Sequence, residues 1–390
     1  MRIQPLFLFV AFFMGVANVP SAQAEQGLTG EPILEWQRDL PGGKASGLFH
    51  TERAAPAVND GLLYVGSAGG NALYALDLKS GGIAHSYTTE SAVFSSPVFE
   101  AGGLYFSDSA GYTYRFEIGA IAPTWKHFGG VPIGSTPTID GETLFVATVD
   151  DLVFAINKNT GDTRWRYQHP PDATRQSELT LFGAPSPVTQ GDDVFFGFSD
   201  GSIAALNAVS GQVNWERQVG QGRYPDLIAT PVVTDNDIYL GAFSEPFLAL
   251  DRESQSPRWS LDLGTAAAVA VSGEHLFLGG SDGRLRSVNR KTGEVNWTWD
   301  SSTSGALTAP QLTPVGVVVA SSEGGLYIVN AKTGTLNWSY KPDHHLAGIS
   351  ATPTVSGDRL IAVTNGGNLL SFRTVQTPTP PESWRKWDLF

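Results

Sequence analysis

The sequence predicts an all-β fold, an eight-bladed β-propeller with four antiparallel strands in each blade. Tryptophan recurs 28 residues after an equivalent apolar position, as in the pairs Pro97 and Trp125 or Pro137 and Trp165, and the unit repeats about every 40 residues. Short β-branched and aromatic runs alternate with Gly, Asn and Asp turns. No helical periodicity competes after the first 24 residues, so the repeats predict a radial β architecture.

The N-terminal segment is predicted to be a secretory signal. Arg2 is the only charged residue before position 25, an apolar run covers residues 6–17, and small residues lead to Ala24. This apolar run is too short to cross a bilayer. We therefore expect export, cleavage after Ala24, a periplasmic location and a short linker over residues 25–32.

The propeller is expected to occupy residues 33–373. Its blades start at Pro56, Pro97, Pro137, Pro187, Pro231, Val269, Pro310 and Pro353. The last unit has no tryptophan strand of its own, whereas residues 33–38 form an isolated strand of that type before the first unit. Pairing this N-terminal strand with the last blade would close the ring and remove two exposed strand edges.

The recurring tryptophans are expected to form a structural ring, because regular repetition calls for a structural cause and each indole can cover the neighbouring blade's turn. This ring comprises Trp36, Trp125, Trp165, Trp215, Trp259, Trp297 and Trp338.

Composition narrows the range of partners. The formal net charge is −13 and basic residues do not cluster, which argues against nucleic-acid binding. The chain has no cysteine, so neither a disulfide nor a lipid-anchored cysteine is available. We expect no direct membrane anchor, a monomer, and membrane association only through a partner.

Two loops between blades stand out as candidate contact sites. The longer one carries Leu179, Leu181 and Phe182, an apolar cluster outside any predicted blade core, and the next carries Asp226 and Ile228. Apolar residues on a loop favour an interface. The alternatives are that the long loop folds back onto the propeller and that Asp226 is an ordinary solvated acid.

The repeat resembles the tryptophan-docking motif of pyrroloquinoline-quinone-type propellers. The segments that carry this resemblance are Ile156–Trp165, Leu206–Trp215, Val288–Trp297 and Val329–Trp338. Two families share the motif, the quinoprotein dehydrogenases and the BamB-type subunit of the outer-membrane β-barrel assembly machinery.

The BamB-type resemblance implies a non-catalytic periplasmic scaffold, without metal or cofactor, that aids insertion of barrel proteins. In that family the matching loops contact the periplasmic domains of the barrel-assembly protein, and nascent barrel proteins are further candidate partners. Leu179, Leu181 and Asp226 match the family's pattern by position, whereas Phe182 replaces an arginine and Ile228 replaces an acid.

The dehydrogenase resemblance implies a vicinal disulfide and a calcium site. The disulfide has no cysteines to form it, and no set of six to eight oxygen ligands can be assembled from the sequence. No catalytic residue is therefore assigned. A periplasmic propeller that binds a quinone or another small molecule, or one that binds a different protein, stays open as an alternative.

Residues 374–390 leave the repeat. A Pro-rich linker precedes Trp384, Trp387 and Phe390. We expect this tail to dock on the propeller itself, with addition to a partner's sheet edge as the alternative.

Overall fold

Eight four-stranded antiparallel sheets form the molecule in the computed structural model, which describes residues 28–42, 51–170, 185–220, 225–243, 246–343 and 348–375. This is the predicted eight-bladed β-propeller. The signal segment, the C-terminal tail and most of the long loop lie outside the described residues.

The first four blades follow one another along the chain. Their strands are β2 (Ala57–Asn59), β3 (Leu62–Ser67), β4 (Ala72–Asp77) and β5 (Ile83–Thr88); β6 (Val98–Glu100), β7 (Gly103–Ser107), β8 (Tyr112–Glu117) and β9 (Trp125–Phe128); β10 (Thr138–Asp140), β11 (Thr143–Ala147), β12 (Leu152–Asn157) and β13 (Thr163–Gln168); and β14 (Val188–Gln190), β15 (Asp193–Gly197), β16 (Ser202–Asn207) and β17 (Val213–Gln218).

The next three blades repeat the arrangement. Their strands are β18 (Val232–Val233), β19 (Asp237–Gly241), β20 (Phe247–Asp251) and β21 (Pro257–Leu261); β22 (Ala270–Ser272), β23 (His275–Gly279), β24 (Arg284–Asn289) and β25 (Val295–Asp300); and β26 (Gln311–Thr313), β27 (Gly316–Ala320), β28 (Leu326–Val329) and β29 (Leu336–Tyr340).

The eighth blade joins the two ends of the chain. It combines β30 (Thr354–Ser356), β31 (Arg359–Val363) and β32 (Asn368–Val375) with the N-terminal strand β1 (Glu31–Asp39), in the order β1-β32-β31-β30. The predicted closure is confirmed. β1 begins and β32 ends two residues beyond the boundaries expected from the sequence.

Burial differs between the strands of a blade. The second and third strands are almost wholly buried, as in β11 and β12, whereas the fourth strand alternates exposed and half-buried residues, as in β13. The eight hydrophobic clusters that form the core are built from these middle strands. Burial of their apolar surface between adjacent sheets is the main stabilising contribution.

The ends of the strands define two faces. The turn between the second and third strands and the loop to the next blade lie on what we call the upper face, where His169 N donates to Asp151 O (3.2 Å). The other two turns of each blade lie on the lower face, where Lys158 N donates to Glu142 O (3.2 Å). The described ends of both candidate loops therefore lie on the upper face.

Candidate functional site

The predicted contact residues fall into two groups. Leu179, Leu181 and Phe182 lie in residues 171–184, outside the described residues. Asp226 and Ile228 are described and belong to the segment that leads into the fifth blade. The described chain on either side of both loops fixes where the loops leave the propeller.

The bases of the two loops converge above the fourth blade. A Cβ added to Gly197, the last residue of β15, would lie 3.0 Å from Leu227 Cβ and 3.2 Å from Pro185 Cγ. Leu227 N donates to Phe198 O (3.2 Å), and the Leu227 side chain is buried in the cluster formed by the fourth and fifth blades. This buried leucine, which sequence reasoning did not single out, holds the second loop.

A relay of hydroxyl groups connects the same region to its neighbours. Ser186 N donates to Thr230 Oγ1 (3.0 Å), and Thr136 N donates to Ser186 Oγ (3.0 Å). Each of these residues precedes the proline that starts a blade. The relay therefore fixes the third, fourth and fifth blades relative to one another below the loops.

Asp226 is placed differently from a solvated loop acid. It is only 5% exposed, and its carbonyl accepts a hydrogen bond from Phe243 N (3.2 Å). Ile228 is half-buried and offers more side-chain surface. In this conformation a partner would meet Ile228 before the Asp226 carboxylate.

A buried ionic cluster stands at the base of the long loop. His169 is 4% exposed, stacks on Phe198 with ring centroids 4.1 Å apart, and places Nε2 2.9 Å from Asp200 Oδ2. Asp200 Oδ1 accepts from Ser202 Oγ (2.6 Å). Although Asp200 occupies a turn, it is therefore not the solvated turn acid that its sequence position suggests.

The charges of this cluster are coupled. Burial opposes the imidazolium form of His169, but the hydrogen bond and the charge of Asp200 outweigh burial and raise the pKa of His169. Burial also acts to raise the pKa of Asp200, but His169 and Ser202 dominate and lower it to about 2. No local sequence motif marks this pair, because its members are 31 residues apart.

The serine, histidine and aspartate of this cluster do not form a catalytic triad. Both Ser202 Oγ (3.3 Å) and Asp200 approach the same nitrogen, His169 Nε2. In a triad the carboxylate and the hydroxyl bond opposite nitrogens of the ring. The geometry supports an ion pair that positions the loop base.

Five of the ring tryptophans dock on the next blade in the same way. The indole Nε1 of each donates to a backbone carbonyl of the following blade's lower turn at 3.0–3.2 Å. The five pairs are Trp36 with Leu78, Trp125 with Lys158, Trp165 with Ala208, Trp259 with Arg290 and Trp297 with Ala331. These contacts link neighbouring blades around the ring.

Trp215 and Trp338 lack this hydrogen bond within the described chain. Trp338 faces the eighth blade, where the chain ends take the place of the lower turn, and it packs edge-on against Phe372 with centroids 5.3 Å apart. Trp215 keeps its contact with Phe195 in its own blade, at 5.9 Å.

The described residues contain no group of three His, Cys, Asp or Glu side chains arranged to hold a metal ion. In the same part of the chain, no helix has the length and hydropathy to span a membrane.

Comparison with known proteins identifies relatives along almost the whole ring. The family model described as outer membrane protein assembly factor BamB matches residues 28–132, 122–299 and 265–377. The protein of that name from Legionella pneumophila is 27% identical over 198 residues, which cover 49% of this chain and 51% of that protein. The chain thus spans about half the length of this relative.

Solved structures share the fold. BamB from Moraxella catarrhalis superposes with a TM-score of 0.73 at 19% identity, covering 88% of this chain and 99% of that one. A europium-containing methanol dehydrogenase superposes with a TM-score of 0.70 at 13% identity, covering 88% and 93%. At these identities both likenesses show the fold alone, whereas the family model matches far more than half of the sequence. The chain belongs to the outer membrane protein assembly factor BamB family.

Proposed function

We propose that this protein is a non-catalytic periplasmic scaffold for outer-membrane β-barrel assembly. The observation that carries the proposal is the family match, which extends from residue 28 to residue 377 and so includes every blade. The partner is the periplasmic part of the barrel-assembly protein, and this contact is what holds the scaffold at the outer membrane.

The proposed contact surface is built from two loops whose described ends leave the upper face beside the third to fifth blades. It comprises the loops at residues 178–186 and 223–228, with Leu179, Leu181, Phe182 and Ile228 as the apolar contacts. A few large apolar side chains surrounded by polar groups are typical of protein–protein hot spots.

A rigid base favours binding at this place. Leu227 and Pro185 are packed at Gly197, the hydroxyl relay joins three blades, and the His169–Asp200 pair fixes the end of β13. Loops that leave a fixed base lose less conformational entropy on binding than loops with mobile ends.

The test is affinity purification of the tagged full-length protein from solubilised cell envelope, with the barrel-assembly protein detected by mass spectrometry. Leu179→Ala/Leu181→Ala is expected to reduce its recovery at least tenfold, since truncating hot-spot residues costs on the order of 2 kcal/mol or more. Asp226 is left unchanged, because a substitution at a buried residue would test folding.

The matched control is Ile118→Ala/Ile121→Ala. It also removes two exposed aliphatic side chains, but from a lower-face turn of the second blade. Recovery with this control should equal that of the wild type. Failure of the wild-type bait to recover the barrel-assembly protein, or equal losses in the two variants, would contradict the proposal.

A further inference from the structure

The junction between the fourth and fifth blades departs from the other tryptophan junctions. At five junctions a glycine with positive φ lies directly beneath the indole, at Gly81, Gly161, Gly211, Gly293 and Gly334. A Cβ added at any of them would come within 2.6–2.8 Å of the tryptophan ring. The residue at the equivalent place beside Trp215 is Gln255, which keeps the left-handed backbone with a φ of 55°.

Gln255 displaces the tryptophan contact in two ways. Its Cβ occupies the space that the indole fills elsewhere. In addition, its Nε2 donates to Glu253 O (2.6 Å) and also lies 3.3 Å from Arg252 O, the carbonyl three residues before the turn position. At the other junctions that carbonyl is the acceptor of the indole N–H, as in Trp165 with Ala208. Trp215 therefore lacks the indole hydrogen bond to the following turn that the docked tryptophans make, although it still packs against the hydrophobic cluster shared by the fourth and fifth blades.

A cleft of about 600 Å³ opens at this place on the lower face. Trp215 and Gln255 both line it, together with polar residues of the neighbouring turns. Its volume lies within the range of small-molecule sites. The cleft thus lies at the junction where glutamine stands in place of the docking glycine.

The polar lining offers both donors and acceptors. Two amides are already committed, because Asn214 Nδ2 donates to Asp193 (2.6 Å) and Gln190 Nε2 donates to Asp235 (2.9 Å). Each of these carboxylates keeps further lone pairs that can accept a ligand's hydroxyl groups. Arg252, which has no ion pair among the described residues, supplies donors for ligand oxygens.

The balance of charge excludes an anionic ligand. Four carboxylates surround a single guanidinium, from Asp192, Asp193, Asp235 and Glu253 against Arg252. An aromatic side chain surrounded by hydrogen-bond acceptors and donors suits a ligand with a hydroxyl-rich ring. The C–H face of such a ring packs on the indole, and its hydroxyl groups form hydrogen bonds with the polar residues that line the cleft.

We propose that the cleft beside Trp215 binds a neutral saccharide of one or two rings. The sugar stacks on Trp215, donates hydroxyl protons to the carboxylates and accepts from Arg252. The site is on the face opposite the partner loops, so the proposal stands or falls independently of the scaffold function.

The test is saturation-transfer NMR on the full-length protein with N,N′-diacetylchitobiose, cellobiose and maltose at millimolar concentration. We expect saturation transfer from at least one sugar, and a shift of the Trp215 indole resonance, assigned by its loss in Trp215→Phe. Gln255→Gly should weaken binding at least tenfold, because the glycine lets Trp215 dock and close the cleft.

The matched control is Val209→Gly, which changes an exposed side chain in the corresponding turn of the fourth blade that does not line the cleft. It should bind like the wild type. The proposal is overturned if no sugar gives saturation transfer, or if Gln255→Gly binds the sugars like the wild type. It is also overturned if Nα-acetyl-lysine methyl ester, whose side-chain amine is charged, binds more tightly than every sugar, because the site would then be one for cations.

Discussion

At the level of single residues, one turn glycine lies against the indole ring at each of the five junctions where a tryptophan docks on the next blade. Gly211 needs its glycine for two independent reasons, a φ of 73° and a Trp165 ring that a Cβ would approach to 2.6 Å. Left-handed backbone is costly for residues with a side chain, and a contact this short would force the ring to move.

The Gln255→Gly substitution is expected to stabilise the protein. It relieves left-handed strain of about 1–2 kcal/mol and restores an indole hydrogen bond worth about 1 kcal/mol, against about 0.5–1 kcal/mol of extra chain entropy for glycine. We expect a net gain of about 1 kcal/mol in the free energy of unfolding, measured by urea denaturation.

The reverse change serves as the control for that prediction. Gly211→Gln places a side chain beneath Trp165, the neighbouring junction, and should lower the free energy of unfolding by about 2–3 kcal/mol. If both substitutions change the free energy of unfolding in the same direction, the glycine does not govern docking.

At the scale of the strand, a β-bulge precedes four of the five docked tryptophans, Trp36, Trp165, Trp259 and Trp297. In β13 the register shifts between the pairs Ala155–Trp165 and Ile156–Thr163, which leaves Arg164 as the extra residue. The same shift precedes Trp36 in β1. A bulge increases the local twist and redirects the following side chain. Trp215 and Trp338 follow the same bulge without making the docking hydrogen bond, so docking also depends on the turn that faces the indole.

The end of β13 carries a pH-dependent contribution to stability. The pKa of His169 in the folded protein lies above its ordinary value. The ion pair with Asp200 therefore contributes its full stability below the unfolded pKa of about 6.5, and this contribution is lost as the pH rises through the folded pKa. His169→Gln should therefore lower the free energy of unfolding by about 1–2 kcal/mol at about pH 6, and by less at about pH 9.

His127 provides a control of opposite sign. Burial lowers its pKa despite the contact of Nδ1 with Gly161 O (3.1 Å), so charging it destabilises the fold as pH falls. His127→Gln should gain stability relative to the wild type at acid pH. If denaturation curves across this range show the same pH trend for both variants, the assigned role of His169 is wrong.

At the scale of the whole molecule, stability depends on closing the ring between the two ends of the chain. Arg359 in β31 forms a bidentate ion pair with Glu35, the bulged residue of β1, and the arginine side chain is 8% exposed. Asn368 Nδ2 also donates to Asp39 Oδ1 (3.0 Å). The N-terminal strand is thus held by charge as well as by backbone pairing.

Glu35→Gln should weaken this closure. It leaves the Arg359 charge buried without its counter-ion. We expect a loss of about 2 kcal/mol in the free energy of unfolding, below the roughly 3–5 kcal/mol of a fully buried pair because Glu35 is partly exposed. Urea denaturation measures the change, and size-exclusion chromatography detects any opened, self-associating form.

Asp358→Asn is the matched control in the same blade. Asp358 pairs with Arg373 at 2.7 Å, but both side chains are about half exposed. A surface pair contributes roughly 0–1 kcal/mol, so this variant should stay close to the wild type. Similar losses in both variants would show that the buried closure pair has no special role.

The repeat, the blade count and the ring closure could all be predicted from the amino-acid sequence. Tryptophan spacing and turn residues are local signals. The ring closure could be predicted because the N-terminal segment contains one strand outside any blade, and the last blade lacks its fourth strand. Local patterns suffice here because each blade repeats the same contacts with its neighbour.

The environment of individual side chains, in contrast, becomes visible only in the folded protein. From its sequence position Asp200 would be an acid in an exposed turn, but in the folded protein it pairs with His169. Asp226 lies in a loop, yet it is buried. Nothing in the sequence distinguishes Gln255 from other polar turn residues, whereas the structure places it beside Trp215 with a left-handed backbone. Burial and pairing depend on residues far apart in the chain, and a sequence pattern carries no record of which distant groups meet.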